Sequence, residues 1–195
     1  IWGWAVPNGD NYDIYWYSRD KNPYMADSNK TVYFKGWSNM TSAPGVSSWD
    51  TSKAVRFENV FNGCTALRSL DLSKWDSKNV TNMSSMFHSC ISLGTLTLTH
   101  LQDDSIVYWD TSKVTNMRLM FYNCSSLINI SGVYKWNTSK VNNMSQMFSN
   151  CSNISTIDGL EWDISNISQT TAYNTDWSMN RMFENCTSLE HFDNV

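Results

Sequence analysis

The chain has 195 residues, which suits one domain or one repeat array with its cap. Only 16% of the residues are charged, the net charge is −4, and the lysines and arginines are scattered along the sequence. Binding to a phosphate backbone needs clustered basic residues, so the composition argues against a nucleic-acid partner. No apolar run approaches the roughly 20 residues of a transmembrane helix, so no membrane-spanning segment is predicted. Because the first residue is Ile1, we expect an internal or mature part of a longer protein.

The N-terminal region is rich in aromatic residues. The stretch Tyr12–Tyr17 has the composition of a strand, and the turn signal Asn8-Gly9-Asp10 precedes it, so a small hairpin is predicted. The first repeat of an array leaves one end of its core open, and a dedicated segment must cover that end. We therefore predict that residues 1–30 form an aromatic-rich N-terminal β cap.

Three tryptophans of this cap are candidate ligand-binding residues, namely Trp2, Trp4 and Trp16. One interpretation is that their rings pack against the first repeat and close its core. The other is that they offer a flat surface on which a sugar or a protein ligand stacks. The sequence leaves both interpretations open.

The rest of the chain, residues 31–195, contains one degenerate and about five clear copies of a repeat. The tryptophan that opens each clear copy recurs after 26, 34, 27 and 26 residues, counted from Trp49. A period in the twenties is typical of arrays in which each copy packs only against its neighbours. No C-terminal cap is evident before Val195, so we expect the array to continue in the native protein.

Two apolar patterns in each copy predict an α/β solenoid. The run Leu67–Leu72 has the spacing L-x-x-L-x-L, which indicates a short strand with alternate side chains pointing inward. Between the tryptophan and the cysteine the spacing becomes helical, as in Val80, Met83, Met86, Phe87 and Cys90, with Thr81 as a cap. Short parallel strands plus short helical or turn segments in each coil would build a leucine-rich-repeat array.

Like residues of successive copies are predicted to stack as ladders in the core. Three such ladders are Leu70/Leu96/Ile130/Ile157/Phe192, Met83/Met117/Met144/Met179 and Phe61/Phe87/Phe121/Phe148/Phe183. The cysteines also recur at one repeat position, and their number, five, is odd. Free cysteine behaves as a small apolar side chain, so we expect buried thiols and no disulfide framework.

The repeat W-D-T-S-x-V-T-N-M-x-x-M-F-x-x-C-x-S-L resembles that of the BspA-like leucine-rich-repeat surface proteins of bacteria, over roughly residues 49–195. The resemblance implies an extracellular protein at the bacterial cell surface. It also implies attachment to host proteins, to mucosal matrix or to other cells.

Two copies carry insertions, around 99–108 and around 169–177. Extra residues in a repeat must leave it as loops, and loops on a rigid scaffold commonly carry recognition. The first insertion supplies the candidate ligand-binding residues His100, Leu101, Asp103, Asp104 and Tyr108, and the second supplies Tyr173 and Trp177. The alternative is that both loops merely pack across neighbouring repeats.

No arrangement of residues predicts catalysis, a cofactor or a metal site. The three histidines lie in unrelated positions, and His88 is expected to be exposed to solvent. The aspartates that follow the repeat tryptophans, such as Asp76 and Asp110, suit a turn role because their oxygens accept backbone N–H groups locally. A zinc site would want closely spaced cysteines, and the sequence has none.

The sequence therefore predicts a non-enzymatic recognition or adhesion module that binds a host or cell-surface protein, or a glycan. Two alternatives remain: a structural spacer of a cell-surface protein, and a carbohydrate-binding module that uses the aromatic cap. The oligomeric state does not follow from the sequence.

Overall fold

The computed structural model describes the backbone of residues 2–8 and 11–17 and all atoms of residues 34–157, 162–167 and 179–190. Within these ranges there are seven strands and two short 3₁₀ helices, and no α-helix. The strands are β1 (Trp2–Asn8), β2 (Asn11–Tyr17), β3 (Met40–Ser42), β4 (Ser69–Asp71), β5 (Thr95–Thr97), β6 (His100–Gln102) and β7 (Ser105–Val107). The 3₁₀ helices are Val46–Ser48 and Val133–Lys135.

The strands form three small sheets. β1 and β2 pair in antiparallel fashion from Trp2↔Tyr17 to Asn8↔Asn11, which confirms the predicted hairpin, and β3 joins β2 in parallel. β4 and β5 form a parallel pair in which Leu70 lies beside Leu96. β6 and β7 form a separate antiparallel hairpin within the first insertion.

The segment predicted to be helical is a succession of turns. We call residues 82–90 and their equivalents in other repeats the turn segment. Ser85 and Ser89 have φ values of 55° and 58°, in the left-handed region that an α-helix does not visit. The N–H groups of Met86, His88 and Cys90 donate to the carbonyl three residues earlier. The chain therefore turns repeatedly without completing a helix.

Every second N–H of the turn segment donates to the next repeat. Phe87 donates to the carbonyl of Met120 at 2.9 Å and Ser89 to that of Tyr122 at 2.8 Å. Met83 and Ser85 do the same with the carbonyls of residues 116 and 118. An α-helix needs these N–H groups for the carbonyls four residues earlier, so the two arrangements exclude each other.

The predicted α/β solenoid of leucine-rich-repeat type is therefore wrong. The described residues contain no α-helix to alternate with strands, and of the leucine-rich runs only β4 and β5 pair as strands. Thr81 caps no helix either, because its hydroxyl donates to the carbonyl of Val55 in the preceding repeat at 3.2 Å. The described part of the chain is mostly turns and loops with short strands.

The core nevertheless holds aligned side chains from successive repeats. The predicted phenylalanine ladder is confirmed and begins one copy earlier, at Phe34. Its rings stack at centroid separations of 5.1 to 5.8 Å, through Phe34, Phe61, Phe87, Phe121, Phe148 and Phe183. The leucine ladder is buried from Leu70 to Ile157, while Phe192 lies outside the described residues. In the methionine ladder Met179 is 37% exposed, whereas its three predecessors are fully buried.

The cysteines are unpaired thiols within this core. Cys64, Cys90, Cys124 and Cys151 are buried, as predicted, and Cys186 in the last described repeat is half-buried. Each thiol donates to the carbonyl of the phenylalanine one repeat earlier, at Sγ–O distances of 3.0 to 3.1 Å. Burial raises the pKa of Cys64 and Cys151 to about 12. At neutral pH these thiols stay protonated, and they serve as apolar side chains that each make one hydrogen bond.

The boundary predicted between residues 1–30 and 31–195 lies outside the described residues, so this division stays a prediction. In the described ranges no helix has the length and apolar character needed to cross a bilayer.

Candidate functional site

The first insertion forms the β6–β7 hairpin. Leu101 lies opposite Ile106, Gln102 lies opposite Ser105, and Asp103 and Asp104 make the turn between them. Both aspartates have positive φ, 49° and 61°, which is the conformation of a type I′ turn. This turn matches the natural twist of a two-stranded ribbon, so the insertion adopts a regular structure of its own.

Contacts with the preceding and the following repeat anchor the base of the hairpin. His100 donates from Nδ1 to the carbonyl oxygen of Ser73 in the preceding repeat at 2.6 Å. On the other side, the hydroxyl of Tyr108 lies 3.2 Å from that of Tyr134 in the following repeat. Gly132 allows the hairpin base to come close, because a Cβ there would lie 2.6 Å from Thr99 Cγ2. The hairpin is thus fixed at its base and projects from the stacked repeats.

Two apolar side chains of the hairpin are exposed to water. Leu101 and Ile106 are 73% and 54% exposed, whereas His100 and Val107 are half-buried toward the repeats. Because directly opposite residues share a face of a ribbon, Leu101 and Ile106 form one apolar pair in water. Contiguous apolar surface that is exposed to water makes this pair a candidate interaction site.

A polar strand face lies beside the hairpin. Ser69 and Asp71 of β4 and Thr95 and Thr97 of β5 all point outward and are exposed, as the alternation of the leucine-rich runs predicts. Two shallow hollows of about 310 and 340 Å³ cross this face and share the two threonines. The second hollow extends to Thr99, the residue that leads into the hairpin.

The structure brings one group of predicted ligand-binding residues together. His100, Leu101, Asp103, Asp104 and Tyr108 all belong to the hairpin or its base, although His100 and Tyr108 serve its anchoring. Tyr173 and Trp177 lie outside the described residues. For Trp2, Trp4 and Trp16 only the strand register is described, with Trp2 and Trp4 opposite Tyr17 and Tyr15, and Trp16 opposite Gly3.

Sequence reasoning missed Ile106 and Gly132. Ile106 was detectable, since a turn at Asp103-Asp104 places it directly across from Leu101. Gly132 was not, because its role depends on a contact with residues 99 and 108 that are far away in the sequence.

The aspartates after the repeat tryptophans have the predicted turn role. Asp50, Asp110 and Asp163 each accept the backbone N–H two residues later at 2.9 Å. Hydrogen bonds from the serine two residues later hold the pKa of all three carboxyls below the ordinary value. They stay ionised at neutral pH and stabilise loops. Across the described ranges no group of three or more His, Cys, Asp or Glu residues has a metal-binding arrangement.

His88 is half-buried, so the expectation of solvent exposure is wrong. Its ring stacks on Tyr122 at 4.9 Å, and its Nδ1 is buried with no hydrogen-bond partner among the described residues. Burial, with smaller contributions from Arg118 and Lys35, lowers the pKa of His88 below its usual 6.5. The folded protein therefore holds this imidazole neutral at pH 7.

Acidification is expected to destabilise the protein through His88. The unfolded chain binds the proton at higher pH than the folded chain, so this contribution to stability falls as the pH drops below about 6.5. The variant His88→Asn has the residue that the preceding repeat carries at this position, Asn62. On acidification it should lose less stability than the parent protein does. The measurement is urea unfolding of both proteins at about pH 7.5 and about pH 5.5. An equal loss of stability in the two proteins would contradict the assignment.

Comparison with known families gives one match. The chain matches the family described as Mycoplasma protein of unknown function, DUF285, over residues 29–95 and again over residues 95–194. No curated protein and no solved structure matches the chain.

Proposed function

Since the chain belongs to the DUF285 family of Mycoplasma proteins of unknown function, we propose a role for it in recognition outside the cell. In this proposal the chain is a non-enzymatic module of BspA-like type, displayed at the bacterial cell surface. It binds a protein of a host or a neighbouring cell. The repeats serve as the scaffold and the β6–β7 hairpin carries the contact.

The observation that supports this proposal is the exposed Leu101–Ile106 pair on an anchored hairpin. Burial of apolar surface drives most protein association, and each such side chain contributes about 1.5–3 kcal/mol when fully covered. A flexible loop would lose part of this gain in becoming ordered. The bonds of His100 and Tyr108 hold the base of the hairpin in place before the partner arrives.

The proposal is tested by a binding screen of the purified chain against arrays of extracellular host proteins and of glycans. The test variant is Leu101→Ser/Ile106→Ser. The control variant is Ile164→Ser, which removes an apolar side chain that is 46% exposed outside the hairpin. We expect a saturable protein partner whose affinity falls by about tenfold or more in the hairpin variant and is unchanged in the control.

Two outcomes would overturn the proposal. Absence of binding on both arrays, with a native circular dichroism spectrum, would favour the structural spacer. Glycan binding that survives the hairpin variant would favour a carbohydrate-binding module whose site lies elsewhere.

A further inference from the structure

We propose that the β6–β7 hairpin binds its partner by strand addition, and that the partner segment is an extended polypeptide carrying positive charge. This inference rests on the proposed function and specifies its chemistry. Strand addition means that the partner lies alongside β6 or β7 and pairs with its backbone as a third strand.

The register of the hairpin leaves backbone groups free on both outer edges. In an antiparallel pair closed by a two-residue turn, the residues flanking the turn exchange hydrogen bonds, and the next pair does not. Gln102 and Ser105 flank the turn, so the N–H and C=O groups of Leu101 and Ile106 point outward. Within the described part of the chain, no hydrogen bond from outside the hairpin reaches the backbone of these two residues. Each edge therefore offers one donor and one acceptor at the position of its apolar side chain.

The apolar pair and the free edges act on the same partner. A strand added beside Leu101 or Ile106 places alternate side chains on the face that these two residues share. Main-chain pairing then supplies orientation, and apolar side chains at every second position of the partner cover the exposed pair. Natural proteins protect such edges with charges or proline, and neither Leu101 nor Ile106 does so.

The charge of the hairpin favours a basic partner. Asp103 and Asp104 are exposed at its tip, and they are the only lysine, arginine, aspartate or glutamate residues between 100 and 107. A strand that pairs along either edge passes close to this tip, so a lysine or arginine there gains a favourable interaction. The same charge disfavours a second copy of the chain, because edge pairing of two hairpins would bring four carboxylates into one small sheet.

The experiment uses three synthetic six-residue peptides with blocked ends and the intact chain. The first alternates lysine and valine, the second alternates glutamate and valine, and the third is the lysine peptide with N-methyl groups on alternate residues. We expect the lysine peptide to bind about tenfold or more tightly than the glutamate peptide, and N-methylation to weaken binding by about threefold to tenfold. Equal binding of all three peptides, or binding of none, would overturn the proposal.

Variants of the chain separate the backbone contribution from the side-chain contribution. Leu101→Ser and Leu101→Pro both remove the apolar side chain, but only the proline also removes the outward N–H, at an edge position where proline is tolerated. The same comparison applies to Ile106→Ser and Ile106→Pro. On the strand with which the peptide pairs, β6 or β7, the proline variant should bind the lysine peptide about threefold to tenfold more weakly than the serine variant.

The outcomes also distinguish this inference from the proposed function. Suppose that an array partner no longer binds the Leu101→Ser/Ile106→Ser variant, but binds the single serine and proline variants equally well at both positions. The proposed recognition function would then stand, and binding by strand addition would be excluded. Self-association of the chain that increases with concentration and is abolished by the proline variants would instead identify a second copy as the occupant.

Discussion

Replacing Phe87 by alanine is expected to lower the free energy of unfolding by about 3–5 kcal/mol. The side chain is fully buried and stacks on Phe61 at 5.8 Å and on Phe121 at 5.4 Å. Its removal leaves a cavity between two repeats and interrupts the ring stack in both directions. Urea unfolding followed by tryptophan fluorescence measures the loss.

The matched control is Phe183→Ala, at the same repeat position in the last described repeat. Phe183 is half-buried and stacks on Phe148 at 5.5 Å. In an array stabilised by contacts between neighbours, a change at an end disturbs fewer interfaces than a change in the middle. We therefore expect the loss at Phe183 to be less than half of that at Phe87. Equal losses at both positions would show that the stacked rings do not carry the stability of the central repeats.

Gly132→Ala is expected to lower the free energy of unfolding by about 2–4 kcal/mol and to loosen the β6–β7 hairpin. Gly132 has φ +88°, and an added Cβ would lie 2.6 Å from Thr99 Cγ2 and 3.0 Å from Tyr108 Cδ1. These atoms belong to the base of the hairpin, so it must shift to accept the methyl group. Urea unfolding gives the stability, and amide hydrogen exchange over residues 100–107 reports the loosening.

Gly45→Ala separates the backbone effect from the steric effect. Gly45 has φ +82° and precedes the first 3₁₀ helix as Gly132 precedes the second, but a Cβ there would meet nothing within 4 Å. Only the conformational strain of about 1 kcal/mol should remain. If the two variants lose the same stability, or if exchange over residues 100–107 stays unchanged in Gly132→Ala, the close packing against the hairpin base is not significant.

The sequence predicted which side chains meet in the core better than it predicted the backbone that carries them. Phe87 and Cys90 recur at constant repeat positions, and both lie buried as predicted. The helix prediction failed because turns of three to four residues place apolar side chains at nearly the spacing of a helix. The turn segment differs from an α-helix in the sign of φ at two positions of each repeat. The residues with positive φ include Leu119 and Gln146, and leucine and glutamine rarely adopt positive φ. The local signals were glycine and asparagine, which adopt positive φ most readily: they recur at the second such position, as Gly63, Asn123, Asn150 and Asn185, and Asn59 stands at the first.

The candidate site was predictable in place but not in detail. An insertion stands out against a constant repeat length, so residues 99–108 could be located from the sequence alone. The outward orientation of Leu101 and Ile106 depends on which face of the ribbon His100 turns toward Ser73. That contact joins residues far apart in the sequence, and periodicity within the insertion carries no information about it.

The hydrogen bonds between turn segments give this side of the stacked repeats an electrical direction. In the peptide unit of Met86 and Phe87, the carbonyl accepts from the preceding repeat and the N–H donates to the following one. The equivalent peptide units of the other turn segments have the same orientation. Their dipoles therefore add along the stacked turn segments, as peptide dipoles do along a helix. Partial negative charge gathers beside the first described repeat and partial positive charge beside the last described one, the reverse of a helix relative to chain direction. Anions and acidic side chains are therefore favoured beside the turn segment of the last described repeat.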